Sequence, residues 1–285
     1  MGEETAKAMP TGGGFYHVCP PRPGCPHCSG GSAEAAEALD WSFLDAAYCI
    51  SLKSREDRAA SAAAEFHRVG LCGRVRFFRP ERHPTKPIRG IWQSHREVAL
   101  EALRRGQRTI AIFEDDVQFS RRTSPARVRS IRTALESLPC DWTILFLGHW
   151  PLRAWFVAPH LLRTASACCH AYIASPRLLA WLQEHPPERP DTALVRLAGA
   201  GIDAAYAALP GTFAYFPMVA VQGPFKSDHR LPPTRPKRWR LKHLFSRSRY
   251  RERLLSGLMR PNEMVIAALS PLFWLHHRLR RGRAC

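Results

Sequence analysis

Residues 109–117 read TIAIFEDDV: an apolar run, Ile110 to Phe113, ends abruptly in Glu114, Asp115 and Asp116, and Val117 follows. Four consecutive apolar residues, two of them Ile, predict a strand buried on both faces, as in an α/β sheet. Adjacent carboxylates repel, and the repulsion grows as they lose water. In an open α/β sheet, ligands collect at the carboxyl ends of the strands. If 109–113 is a strand, the three carboxylates stand at such an end. Side chains alternate along extended backbone, so Glu114 and Asp116 are expected on one side, with Asp115 facing elsewhere. Oxygen donors paired in this way suit Mg²⁺ or Mn²⁺, which take one or two carboxylates plus substrate phosphates. The competing reading is a solvated acidic turn or a helix N-terminus.

The same alternation of apolar runs and amphipathic stretches continues on both sides. AAYCISL (46–52) predicts a first strand, and Ser54 with Asp57 a helix start, the helix running to Gly70. RVRFFRP (74–80) predicts a second strand. Ser94 with Glu97 has the form of a capping box opening a helix closed by Gly106. Beyond the acidic cluster, Pro125 suits a first helical position, and Val128, Ile131, Leu135 and Leu138 line one helical face. WTILFLG (142–148) and CCHAYIA (168–174) predict two more strands, the latter followed by a helix capped by Ser175 with Pro176 at its first position. The expected architecture is α/β: a mostly parallel sheet flanked by helices.

The chain has 285 residues and a formal net charge of +18, which favours an anionic partner. Much of the excess lies in a tail. Between 234 and 253, Arg235, Lys237, Arg238, Arg240, Lys242, Arg247, Arg249, Arg251 and Arg253 face Glu252 alone. Leu272, Phe273, Trp274 and Leu275 then precede a run of His and Arg, the composition of an interfacial helix on anionic lipid. Trp239, Phe245 and Tyr250 among the arginines also fit single-stranded nucleic acid, but no nucleic-acid module is recognisable and that partner is not expected. No apolar run reaches the length of about 18 residues that a spanning helix needs.

The nine cysteines are scattered, as expected of reduced thiols in a cytosolic compartment. HVCPPRPGCPHCSGG offers His17, Cys19, Cys25, His27 and Cys28, residues that ligate zinc, but the spacing fits no closed zinc pattern. A flexible Pro/Gly-rich leader over 1–43 is the expectation, then a globular domain over 44–232 and a basic amphipathic tail over 233–285.

YCISLKSREDR, GIWQSH, AIFEDDVQF, DWTILFLG, HAYIASPRLLAWL, GIDAAY and FPMVAVQGPFKSDH are seven short motifs in order along the chain, and together they resemble glycosyltransferase family 25, which includes lipooligosaccharide and collagen galactosyltransferases. YCISLKSREDR resembles the family's opening strand and N-L-x-x-R-x-x-R segment, with Ser51 in place of the usual Asn. GIWQSH is similar to its G-x-x-x-S-H, AIFEDDVQF to its E-D-D-V, and DWTILFLG to its W-D-x-x-x-L-G strand. HAYIASPRLLAWL, GIDAAY and FPMVAVQGPFKSDH follow in the family's order, covering about residues 46–229.

The resemblance implies a GT-A-like fold, a UDP-sugar donor, galactose as the favoured sugar, and inversion at the anomeric carbon. It implies a lipooligosaccharide or lipopolysaccharide-type acceptor. By that likeness Glu114 and Asp116 serve Mn²⁺ or Mg²⁺, with His229 or Asp228 completing the shell. Ser51, Arg55, Arg58, Ser94, His95, Glu114, Asp115 and Gln222 fall at the donor, with Ser227 nearby. Asp203 is the candidate general base, and Asp116 the second catalytic candidate. His229 departs from the family, which has an aliphatic residue there. The expected setting is the inner face of a bacterial cytoplasmic membrane, held peripherally by the tail. A catalytically silent relative that binds glycan or lipid is the alternative.

Overall fold

The computed structural model describes residues 16–19, 25, 39–187, 201–223 and 225. The segment 233–285, with its expected lipid-binding helix, lies outside the described residues, as do Ser227, Asp228 and His229.

In chain order the elements are β1 (Tyr16–Val18), β2 (Ala46–Ile50), α1 (Glu56–Arg68), β3 (Val75–Phe78), α2 (Pro87–Arg104), β4 (Ile110–Glu114), β5 (Val117–Phe119), α3 (Pro125–Glu136), β6 (Ile144–Ala158), β7 (Leu161–Ala174), α4 (Pro176–Glu184), α5 (Ile202–Ala208), β8 (Thr212–Tyr215) and β9 (Ala220–Gln222). Seven strands form one sheet in the order β1-β3-β2-β4-β7-β6-β8, and β5 pairs with β9 in a separate ribbon. The chain is therefore α/β, as expected. The sheet is mixed: β3–β2, β2–β4 and β6–β8 are parallel, whereas β1–β3, β4–β7 and β7–β6 are antiparallel.

The apolar runs are nearly continuous because each central strand serves two cores. Ala47 and Cys49 of β2, Ala111 and Phe113 of β4, and Leu145 and Leu147 of β6 enter one core. Phe66 of α1 and Val128 and Ile131 of α3 share it. The intervening Ala46, Tyr48, Ile110, Ile112, Ile144 and Phe146 enter the other, with Trp92 and Val98 of α2, Leu178 and Leu182 of α4, and Tyr206 of α5. This is the two-residue period of a strand covered on both faces.

Several helix ends follow the sequence signals. Ser124 and Ser175 accept hydrogen bonds from Arg127 N and Leu178 N, each 3.3 Å, with a proline at the next position. Gly70 and Gly106 adopt φ of 69° and 67° after α1 and α2. Leu71 N then reaches Phe66 O and Gln107 N reaches Ala102 O, both 2.9 Å, the six-residue closure of a left-handed helix cap.

Two expected starts are corrected. α1 is preceded by Arg55 rather than Ser54, and α2 begins at Pro87, seven residues before Ser94. Ser94 sits inside α2, where its hydroxyl donates to Gly90 O at 2.8 Å. Pro87 needs no amide partner in a first turn, so it opens the helix earlier than the capping-box pattern suggests.

The β6–β7 hairpin was half hidden. Its strands run 15 and 14 residues, where the sequence predicts seven each. Gly148 and Pro151 read as strand breakers, but the ladder absorbs them in register shifts between Phe146 and Gly148 and between Pro151 and Arg153. Nor is the stretch 1–43 wholly apart from the domain. β1 covers the edge of β3, and Cys19, Cys25 and Trp41 are buried in the first core. An uncovered β3 edge would leave a row of unpaired amides and carbonyls, and β1 removes it.

Candidate functional site

β2 and β4 run parallel with Ile50 level with Glu114, so the loop after β2 and the acidic turn after β4 emerge side by side at the carboxyl end of the sheet. Asp115 N donates to Ile50 O at 3.1 Å, closing the turn onto β2. β7 runs the other way, with Ala171 opposite Phe113, and therefore brings Cys169 and His170 to the same end. The ribbon pairs Val117 with Gln222, and Gly223 N donates to Asp116 O at 2.6 Å, so Gln222 lies next to the turn. Gly148 makes this possible. A Cβ there would run into Ala220 O and His170 Nε2, so the strand holding Gln222 packs directly on bare backbone.

The three carboxylates divide differently from the expectation. Asp115 does not turn away; it is buried, and Arg58 of α1 grips it at 2.5 Å and Asp116 at 3.1 Å through one nitrogen, Nη2. Glu114 approaches His95 of α2 (Oε1 to Nε2, 3.7 Å) and Cys169 (3.8 Å) instead of Arg58 Nη2, yet stays near enough for its charge to act on Asp116. The reason is the tight turn at Asp115–Asp116, which ends the strand after Glu114 and cancels the alternation that an extended chain would impose.

Behind Glu114 stands a buried polar chain. Cys169 Sγ donates to Asp203 Oδ1 at 2.8 Å and lies 3.7 Å from His95 Nε2. His95 Nδ1 meets Tyr172 Oη at 2.8 Å, and Tyr172 Oη meets Tyr206 Oη at 3.1 Å. Asp203 lies in the first turn of α5, so this helix joins the acidic turn to the chain of phenols.

Cys169 reaches this place through a backbone irregularity. Ala171 and Ile173 of β7 face the first core, and strict alternation would send Cys169 there too; instead it joins Tyr172 in the second. Cys168, at φ 69°, is the kink that turns it. A non-glycine residue in the left-handed region costs conformational energy and collects at functional sites.

Burial sets the electrostatics. It raises the Glu114 carboxyl to about 7, with Asp203 and Asp115 adding repulsion. It raises Asp116 to about 8, where Glu114 adds repulsion and Arg58 opposes it. The His95 imidazole is pushed down to about 4 by loss of water, against the pull of Asp203. Burial also lifts the Cys169 thiol, reinforced by Asp203 and Glu114. Glu114 and Asp116 thus prefer protons in a place that concentrates carboxylates. Asp116 Oδ1 and Ser51 Oγ are buried with no hydrogen-bond partner among the described residues.

These facts fit a hard divalent cation. Glu114 and the unpartnered Asp116 oxygen are oxygen donors, and a 2+ charge would offset the repulsion that raises their affinity for protons. His95, Glu114 and Cys169 also bring ligand atoms within 4.8 Å of one another.

The remaining site residues take different positions. Arg55 lies at the start of α1, bonded to Asp57 through Nε and Nη2, both 2.9 Å. Ser94 and His95 lie inside α2 rather than at its start, so they present no free helix amides to a donor phosphate. Cys169 and Tyr206 escaped the sequence reading. A thiol in an apolar run reads as core, and the kink at Cys168 has no signal in residue type.

No family model matches the chain, and no curated protein matches it. Among solved structures, the crystal structure of A197 from STIV is similar at 9% identity over 66% of this chain and 98% of that one, with a TM-score of 0.35, a likeness too loose to carry an argument.

Proposed function

We propose that this chain is a metal-dependent inverting glycosyltransferase with a GT-A-like fold. It moves a sugar, galactose by the family resemblance, from a UDP-sugar to a lipooligosaccharide or lipopolysaccharide-type acceptor. The observation that carries the reading is the acidic turn. Glu114 and Asp116 stand at the carboxyl end of β4 with carboxyls raised to about 7 and 8, and a buried Asp116 oxygen has no partner among the described residues. A site this costly in electrostatic terms is characteristic of function rather than stability.

Glu114 and Asp116 hold Mn²⁺ or Mg²⁺, which supplies charge neutralisation for the departing nucleoside diphosphate. Arg58 holds Asp115 and Asp116 in place through its two ion pairs, and its charge opposes the rise that burial imposes on the Asp116 carboxyl. Ser51 Oγ and Gln222 flank the turn and address the donor. Asp203 takes the acceptor hydroxyl proton, and the thiol of Cys169, 2.8 Å away, orients its carboxylate. In this reading the enzyme sits peripherally on the inner face of the cytoplasmic membrane through its basic tail. Among the described residues no helix is long and apolar enough to cross a membrane.

The test is a titration of purified protein with UDP-sugars in the presence and absence of Mn²⁺. Metal-dependent binding is expected, lost in Asp116→Ala. Asp203→Asn should keep donor binding and lower transfer by about 10²–10⁴, the usual worth of a general base. Equal donor binding by wild type and Asp116→Ala would refute the metal assignment.

A further inference from the structure

At the other end of α1, far along the helix from Arg58, sulfur and imidazole converge. Cys25 Sγ lies 3.2 Å from His67 Nδ1 and 3.9 Å from Cys72 Sγ. The three ligand atoms lie within 4.8 Å of one another, and all three residues are buried. Cys19 Sγ stands 3.9 Å from the opposite ring nitrogen, His67 Nε2.

Three separate parts of the fold build this cluster. His67 occupies the last turn of α1. Gly70, at φ 69°, reverses the chain after that turn and returns Cys72 beside it. Cys19 follows β1, its amide bonded to Val75 O at 3.0 Å on the neighbouring strand. Cys25 then reaches the pair from the stretch whose sequence alone fits no zinc pattern. The missing ligands lie more than forty residues along the chain, at positions 67 and 72.

We infer that Cys25, His67 and Cys72 form a structural zinc site that fastens the N-terminal segment to the end of α1. Tetrahedral zinc, with bonds of about 2.3 Å to sulfur and about 2.0–2.1 Å to nitrogen, sets ligand–ligand edges of about 3.5–3.8 Å. The observed 3.2 and 3.9 Å bracket that range. Two thiolates balance the charge of Zn²⁺, so the loaded cluster is neutral, as its burial demands. Binding converts two thiols to thiolates and releases two protons to solvent. Nδ1 faces the metal, and Nε2 keeps its proton toward Cys19 Sγ, which orients the ring as a second layer of contacts. Three protein donors leave the fourth corner to water or another donor.

The bland alternative is a set of core thiols, since free cysteine packs as a small hydrophobe. It does not account for a buried imidazole with a sulfur at each of its two ring nitrogens. The site also differs from the acidic turn, which offers hard oxygen donors and formal charge.

The test is metal analysis of the full chain purified without added metal, with cobalt(II) exchange on the same sample. About one zinc per chain is expected, with thiolate-to-cobalt charge-transfer absorption after exchange, because zinc sites with cysteine ligands accept cobalt. Cys25→Ala, His67→Ala and Cys72→Ala should each lower zinc content about tenfold or more, with far-ultraviolet circular dichroism retained. Cys25→Ala is the safeguard if changes on α1 or its turn impair folding, because it alters the segment outside the α/β core elements. Cys169→Ala should keep the zinc, which separates this site from the acidic turn. Metal-free wild type without a cobalt–thiolate band would overturn the proposal. So would a Cys25–Cys72 disulfide found by peptide mass mapping, or zinc lost only in Cys169→Ala.

Discussion

The two ends of α1 hold two buried clusters of opposite character. Near its start, Arg58 meets Asp115 and Asp116, and Glu114 stands behind them: hard oxygens with more negative than positive charge. Near its finish, His67 meets Cys25 and Cys72: soft, polarisable atoms with no formal charge until protons leave. Both sit at the margin of the same core and use the same helix as a wall. The difference teaches that burial alone does not define a site. The first cluster destabilises the fold, because its carboxyls resist ionisation, and it is the cluster on which the proposed function rests. The second costs little without a metal and yields stability with one, which suits a clasp.

The contrast breaks first at Arg58. Arg58→Ala leaves two carboxylates at the acidic turn without their counter-charge and is expected to cost about 3–5 kcal/mol, read from urea unfolding. A loss below about 1 kcal/mol would mean that the pair is solvated like a surface bridge. Asp116→Asn is next. It removes a strained carboxylate, so the metal-free variant should melt no lower than wild type. Transfer with Mn²⁺ should nevertheless fall by about 10²–10³, as when one electrostatic contact to the transition state is deleted. A variant that is both less stable and fully active would reverse the reading of this end.

The pH profile sharpens the same point. Glu114 and Asp116 have folded pKa values of about 7 and 8, above the ordinary carboxylate values of 4.5 and 3.8. The folded state therefore holds more protons than the unfolded state between those limits, and stability falls as pH rises through the window. His95, lowered to about 4, works in the opposite sense between pH 4 and 6.5. Without divalent cations the melting temperature should decline from about pH 6.5 to 8, where His95 no longer contributes. Mn²⁺ should flatten the decline, and a flat metal-free profile would contradict the raised carboxyls. The smallest effect calibrates the others: Ser124→Ala removes the cap of α3, away from both clusters, and should cost about 1 kcal/mol without altering either metal response.

Much of this was legible in residue order. The run Ile110–Phe113 before Glu114 identified β4 and placed the acidic turn at its end. Pro125 and Ser175-Pro176 marked two helix starts, and Gly70 and Gly106 two helix ends. The starts of α1 and α2 were misread because Ser54 and Ser94 look like caps, while Pro87 and the tertiary packing of Trp92 extend α2 backward; Trp92 Nε1 donates to His185 O at 2.9 Å. The distal halves of β6 and β7 were missed because a glycine and a proline interrupt the pattern that cross-strand pairing overrides. The thiols were expected to be reduced, but among the described residues Cys140 is disulfide-bonded.

What the sequence determined by itself is the local period: which residues alternate between two cores, where strands yield to helices, and that three carboxylates end β4. These follow from short-range sterics and burial. Tertiary structure alone decided the company those residues keep. It gave Asp115 to Arg58 and turned Cys169 toward Asp203 through the kink at Cys168. It carried Cys25 to His67 and Cys72 across more than forty residues. Contacts of that length depend on how strands order in a sheet, and residue spacing holds no record of it.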